Sequence, residues 1–251
     1  MIYYFSGTGN SEAVAREIAK ALGDRAVNLV KADPEEWNRA PGEYLGFVFP
    51  IYGYQAPWMV LEFAAKLDPK DAFTFGVCTF TNVVGEAMQH FSETLPIKAA
   101  YSVLMPDNYP ITDHIIDTEE TAMAKLSGAE ARIQQIIPWI RQKLEKEDVL
   151  KGEDAWNKTY VWAPKALEKG LSTAGFHVTP DTCVSCGLCQ KICPAEAIKL
   201  ENGEPTWVKD KCCMCMGCLN RCPKVAIEYG PYSKGRFRYY FKGFDTSLYF
   251  K

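Results

Sequence analysis

The chain has 251 residues, of which 47% are hydrophobic and 24% charged, and a formal net charge of −3. That length accommodates two domains, the mild acidity argues against a nucleic-acid partner, and no apolar run approaches the ~18 residues of a membrane span. The first residues read as a strand rather than a secretory leader, so a cytoplasmic protein is expected.

Ile2-Tyr3-Tyr4-Phe5 is a short β-rich apolar run. It leads into Ser6-Gly7-Thr8-Gly9-Asn10-Ser11, and residues 12–22 follow with helical periodicity and strong helix formers. A strand therefore feeds a hydroxyl- and glycine-rich loop that opens a helix. The loop has no Lys or Arg. A phosphate there would be held by backbone N–H groups, the helix N-terminus and the hydroxyls of Ser6, Thr8 and Ser11. The loop lacks the lysine of G-x-x-x-x-G-K-[ST], and Glu12 breaks G-x-G-x-x-G. It resembles the flavodoxin phosphate loop, which holds the FMN phosphate without a cationic side chain.

Further strands are expected at 26–30, 45–50, 73–79 and 99–105. Helices are expected at 57–67, 85–95 and 121–145, the last interrupted at Pro138. This alternation predicts an α/β fold: a flavodoxin-like, doubly wound, five-stranded parallel sheet of order 2-1-3-4-5. Two loops leave its carboxyl ends, Pro50-Ile51-Tyr52-Gly53-Tyr54-Gln55-Ala56-Pro57-Trp58 and Thr79-Phe80-Thr81-Asn82-Val83-Val84-Gly85. In flavodoxins the equivalent loops sandwich the isoalloxazine ring. The likeness implies a flavin lined by Pro50, Ile51, Tyr52, Gly53, Thr79, Phe80, Thr81, Asn82 and Gly85. Tyr52 is the first choice for stacking and Phe80 the second, while Gly53 allows a peptide flip beside flavin N5. The alternative is that Tyr52, Tyr54 and Trp58 pack under the following helix, and this reading is preferred for Trp58.

Asp107-Asn108-Tyr109-Pro110 is a turn sequence that opens an insertion, either bordering the flavin or forming a surface loop. Residues 148–176 carry Trp156, Tyr160, Trp162 and Leu167, which a flexible linker would not. That segment is expected to be partly helical and docked. His90, His114 and His177 are scattered, and no acid/base residue stands out.

The most specific pattern comes next. Cys183, Cys186, Cys189 and Cys193, followed by Pro194, read C-x2-C-x2-C-x3-C-P. Cys212, Cys215, Cys218 and Cys222, followed by Pro223, repeat it 29 residues later. This is the bacterial two-cluster run, in which the fourth cysteine ligates the cluster of the other repeat. Cluster one is therefore assigned Cys183, Cys186, Cys189 and Cys222, and cluster two Cys212, Cys215, Cys218 and Cys193. The repeat continues through Pro194–Ile198 and Pro223–Ile227. Zinc is disfavoured, because two cysteine triples occur with no histidine between them. A disulfide scaffold is disfavoured by the expected cytoplasmic setting. Cys213 breaks the pattern, and Cys78 reads as a buried thiol.

The tail from 231 mixes Lys234, Arg236, Arg238, Lys242 and Lys251 with eight aromatic residues, including Tyr239 and Phe241. Its alternation at 236–242 predicts an extra strand, or a strap across the domain interface, in preference to a nucleic-acid stacking surface.

Taken together, Tyr4–Ser11, Met105–Tyr109 and Phe176-His177-Val178 before the first cysteine loop resemble the flavodoxin–bacterial-ferredoxin fusion proteins of anaerobes (EFR-type ferredoxins). The likeness covers nearly the whole chain. It implies a flavodoxin-like domain (1–147), a docked linker (148–176), a small α+β 2[4Fe–4S] ferredoxin-type domain (177–230) and a basic aromatic tail (231–251). It further implies one FMN, two [4Fe–4S] clusters and electron transfer between them, with a redox partner protein or a small electron acceptor. Two other functions are carried alongside. One is a flavin-dependent reductase of a quinone, nitro compound or enoate; the other is a partner protein that activates another redox enzyme.

Overall fold

The computed structural model describes residues 1–111, 116–165 and 172–244. His114, Leu167 and the tail from 245, with Lys251, lie outside the described residues. Strands β1 (Ile2–Tyr4), β2 (Ala26–Asn28), β3 (Tyr44–Pro50), β4 (Phe73–Phe80), β5 (Ala99–Leu104) and β6 (Glu147–Asp148) form one sheet. Its order is β2-β1-β3-β4-β5-β6, and every pair is parallel.

The two-residue period of a strand sends neighbours to opposite faces. Tyr3 and Phe5 enter one core with Phe47, Phe49, Phe63 and Phe91. Ile2 and Tyr4 enter the other with Val14, Ile18, Val77 and Ile133. Helices α3 (Trp58–Ala64) and α4 (Ala87–Thr94) cover the first face; α1 (Asn10–Leu22) and α5 (Glu119–Arg141) cover the second. Central strands covered on both faces read as continuous apolar runs, and all eight residues of β4 are buried.

The sheet differs from the expected five strands by the addition of β6, paired to β5 at Ala100–Glu147 and Tyr101–Asp148. An acidic two-residue edge strand carries no apolar pattern. It is held instead by ion pairs from Arg132 and Lys146 to Asp148. Helix α2 (Pro34–Arg39) was also not anticipated, although its signals are ordinary ones: Asp33 caps the Glu35 N–H, Pro34 sits in the first turn, and Trp37 is fully buried. The second strand stops at Asn28, whose side chain accepts from the Val30 N–H and opens a 3-10 turn. Helix α5 continues through Pro138 and ends at Arg141.

Residues 155–165 are helical, with a π-helical segment, α6 (Asn157–Trp162), at their centre. Trp156 and Trp162 are exposed, and Thr159 and Ala163 are buried. Tyr160 donates its hydroxyl to Glu93 at 2.7 Å and meets His90 edge-on, which ties α6 to α4.

The cysteine-rich unit is small. Strand β7 (Phe176–Val178) pairs antiparallel with β10 (Ile227–Tyr229). Strands β8 (Ile198–Glu201) and β9 (Glu204–Trp207) form a hairpin whose turn residues, Asn202 and Gly203, have φ of 52° and 86°. Two left-handed central residues match the twist of the flanking strands. Helices α7 (Leu188–Ile192) and α8 (Gly217–Asn220) pack on one another. Residues 236–242 form no strand; the segment lies as an extended strap, with Tyr239 1% exposed.

Candidate functional site

The duplication seen in the cysteine spacing extends to the backbone. Left-handed residues recur 29 positions apart at Ser185 and Met214, Gly187 and Met216, and Glu196 and Val225. Amide-to-sulfur hydrogen bonds recur likewise. Ser185 N–H donates to Cys183 Sγ and Met214 N–H to Cys212 Sγ, at 3.5 and 3.4 Å. Ala197 N–H donates to Cys193 Sγ and Ala226 N–H to Cys222 Sγ, both at 3.3 Å. Each loop thus points its amides at its sulfurs, one of the contacts that sets cluster potential.

The fourth cysteine of each motif leaves its own loop. Cys222 lines one cavity with Cys183, Cys186 and Cys189, partly open to solvent. Cys193 acts electrostatically on Cys212 and Cys218, beside Cys215. Among the described residues no three His, Cys, Asp or Glu side chains converge tightly enough to hold a single metal ion. The first four cysteines stand around a space rather than a point, and a set of soft thiolate donors around a space fits an iron–sulfur cluster.

The two cysteine sets differ in setting. Cys186 is exposed, and Val184, which lines the same cavity, is 54% exposed. Cys213, Met214, Cys215 and Met216 are all buried. Burial pushes the Cys212 thiol up to about 11 and Cys218 well above the thiol range, with neighbouring cysteines adding to both. Cys215 is held lower by a hydrogen bond from Cys213 and then by backbone N–H groups, against the effect of its burial. A metal held by Cys212 and Cys218 would therefore have to displace their protons.

The Ser6–Ser11 loop tests whether FMN fits. Ser6 Oγ accepts from the Gly9 N–H at 3.0 Å. Thr8 Oγ1 accepts from Asn108 Nδ2. Asn10 donates to the Pro106 carbonyl at 3.1 Å and accepts from the Tyr239 hydroxyl at 2.9 Å. Ser11 and Thr79 share a hydroxyl–hydroxyl bond of 2.8 Å. Thr8, Asn10 and Ser11 are buried. A Cβ on Gly7 would stand 2.3 Å from the Cys215 carbonyl oxygen, and one on Gly217 would stand 2.9 Å from the Gly7 carbonyl oxygen. Across the same loop, Phe241 N–H donates to the Thr8 carbonyl at 2.7 Å, and a Cβ on Gly9 would meet Phe241 Cβ at 2.9 Å. The chain's own second cysteine loop and tail strap close over the cradle, and a flavin phosphate does not fit there.

The two ring loops also diverge from the flavin expectation. Pro50, Ile51 and Thr79 do gather at the loop, with Ile51 N–H donating to the Thr79 carbonyl at 2.9 Å. Tyr52 stands edge-on to Phe5 at 6.3 Å and packs against the core that contains Cys213 and Cys215, so its neighbours are cysteines. Gly53 and Tyr54 form a left-handed turn closed by reciprocal bonds between Tyr52 and Gln55. Phe80 is buried in the core. Thr81 accepts twice from Lys125, which pairs with Asp117, and Asn82 is exposed. Gly85 turns away to α6, its N–H bonding to the Lys151 carbonyl and a Cβ there meeting Thr159 Oγ1 at 2.6 Å. Thr81, Asn82 and Gly85 therefore do not join Ser6–Ser11.

Three residues outside the expected site complete it. Asn220 donates to the carbonyls of Asn108 and Met216 at 2.8 and 3.1 Å and accepts from the Tyr239 N–H at 3.2 Å. Asn108 and Tyr239 reach in turn to Thr8 and Asn10. The Asp107–Pro110 turn thus braces the loop and α8. A signal for this lies in the departures between the repeats. Where the first copy has Val184, Ser185, Gly187, Leu188 and Lys191, the second has Cys213, Met214, Met216, Gly217 and Asn220. Buried residues on the docked copy replace the exposed Val184, Ser185 and Lys191 and the half-buried Gly187 and Leu188.

Residues 182–227 match the family model of a 4Fe-4S dicluster domain. A ferredoxin of Pyrobaculum islandicum (strain DSM 4184 / JCM 9189 / GEO3) is 38% identical over 52 residues, which are 20% of this chain. The match spans about half of that curated relative, 49% of its length. The cysteine-rich unit is thus an iron–sulfur domain of the ferredoxin type, and its chemistry is electron transfer. No helix among the described residues is long and apolar enough to cross a membrane.

Proposed function

We propose that the chain is an electron-transfer protein with two [4Fe–4S] clusters, one held by Cys183, Cys186, Cys189 and Cys222, the other by Cys212, Cys215, Cys218 and Cys193. The observation that carries this reading is the shared cavity of Cys222 with the first cysteine triple. It brings the fourth ligand across from the other repeat, as two-cluster ferredoxins require. When bound, the clusters supply one-electron chemistry. The chain's own residues hold the sulfurs, direct amides at them and bury one set while leaving the other near the surface. Exposed Val184, with Leu200 and Pro205 lining the same cavity as Cys186, offers an apolar rim, which suits a redox partner protein docking at cluster one better than a small acceptor.

The domain division follows the same reading: a flavodoxin-like unit to about residue 147, a docked linker, the ferredoxin-type unit and a strap. The parallel order β2-β1-β3-β4-β5 supports the flavodoxin-like part. FMN has no part in the proposal because its cradle is closed, and the flavin-dependent reductase goes with it. The test is anaerobic reconstitution followed by stepwise reduction. Two one-electron EPR-active centres are expected. A single centre, or a preparation that takes up zinc in place of iron, would refute the assignment.

A further inference from the structure

We infer that the loop docked on the cradle at the carboxyl ends of β1 and β3 holds the chain's own cluster two beside it, and that Tyr52 donates its hydroxyl hydrogen to a sulfur of that cluster. The inference rests on the two-cluster reading above. Its starting point is an orphan: the Tyr52 hydroxyl oxygen is buried and has no hydrogen-bond partner among the described residues. Leaving a buried donor unmade is costly, so a native position of this kind calls for an acceptor. The titratable groups acting most strongly on that hydroxyl are Cys215 and Cys213, then Tyr109 and Cys212. Cys212 and Cys215 are two of the four sulfurs assigned to cluster two. Tyr52 also packs against the core that contains Cys213 and Cys215.

Independent geometry places the cysteine loop on the cradle. Gly7 and Gly217 are glycines facing each other across the contact, and a side chain on either would strike the backbone of the other loop. The loop opens α1, a helix of 13 residues. Such an end carries about half a positive elementary charge. A cluster with four thiolates is an anion and becomes more negative on reduction. A cradle with the form of a phosphate site thus faces an anion supplied by the same chain. Asn220 and Tyr239 lock the arrangement from the α8 side.

The functional consequence is directional. An O–H···S bond and a positive helix end both favour the reduced form of cluster two. Both contacts would therefore raise the potential of a bound cluster two above that of the same cluster without them.

The test uses the full holoprotein and its Tyr52→Phe variant, with iron and sulfide counted first. A count of about eight iron per chain secures the two-cluster reading on its own. In redox-monitored EPR, Y52F is expected to lower the potential of one centre only. The expected shift is about tenfold in the one-electron equilibrium, about 59 mV. Wild-type resonance Raman should show an Fe–S stretch sensitive to H2O/D2O exchange that Y52F loses. Should the variant fail to load iron, the exchange-sensitive stretch in the wild type and an FMN titration of that holoprotein decide. Equal potentials in both proteins, an exchange-insensitive spectrum, or stoichiometric FMN binding to the eight-iron protein would each overturn the inference.

Discussion

Gly7→Ala is the sharpest perturbation of the contact between the two halves. The added Cβ would lie 2.3 Å from the Cys215 carbonyl oxygen and 2.7 Å from Cys215 Cβ, where ordinary contact begins at 3.4 Å. The Cys215 carbonyl must therefore retreat by 3.4 − 2.3 Å, just over one ångström. No rotamer change can relieve this, because the obstructing oxygen belongs to the backbone of a ligand residue. Overpacking of this kind costs about 1–3 kcal/mol, which in a chain of this size lowers Tm by about 2–10 °C. The strain falls on Cys212–Cys218, so iron loss from cluster two should speed up while cluster one is spared. The assay is anaerobic calorimetry, with iron release to a chelator followed in parallel. Gly128→Ala, where nothing lies within 4 Å of the added Cβ, is the control and should be neutral or slightly stabilising. If the loop held a nucleotide instead of the cysteine loop, G7A would leave iron retention unchanged. Wild-type Tm and wild-type iron release in G7A would refute the docking.

Other outcomes follow from the same geometry. Cys222→Ser should damage the surface cluster and Cys193→Ser the buried one, each crossing to the other repeat; EPR of the two variants reads which signal is lost. Arg238 and Glu228 form a buried ion pair, with side chains only 10% and 7% exposed. Arg238→Ala leaves Glu228 unpaired and should cost about 3–5 kcal/mol. Denaturant melts measure that loss, and limited proteolysis should show cleavage near the released strap. The pH dependence has a definite sign. Burial holds the Cys212 thiol up to about 11 and Cys218 higher still, so binding iron expels their protons throughout the range below that value. Iron retention against a chelator should fall as pH falls from 9 to about 6, and a flat profile would contradict the burial of this set.

Much of the fold could be read from residue pattern. The apolar strands β1, β3, β4 and β5 lie where β-rich runs were bounded by turn residues. The parallel order followed from their alternation with helices. What escaped was held by polar contacts: β6 is an acidic pair fastened by Arg132 and Lys146, and α2 is announced only by Asp33 and Pro34 ahead of a single buried tryptophan. The cysteine spacing carried the iron–sulfur domain outright. The flavin expectation failed for a physical reason. A glycine-rich turn before a helix states that something comes close to the backbone, not what comes close. Phosphate and a cysteine loop make the same demand of Gly7, and only the three-dimensional contact with Cys215 and Gly217 separates them. Tyr52 was expected to stack on a flavin; in the fold it stands edge-on to Phe5 and packs against the core that contains Cys213 and Cys215.

The central claim is that electrons pass through two cubane clusters and no flavin. Iron, acid-labile sulfide and extracted flavin measured on one anaerobically prepared sample test it most directly. About eight iron and eight sulfide per chain with no FMN are expected. About four iron, or one FMN retained per chain beside the clusters, would contradict it.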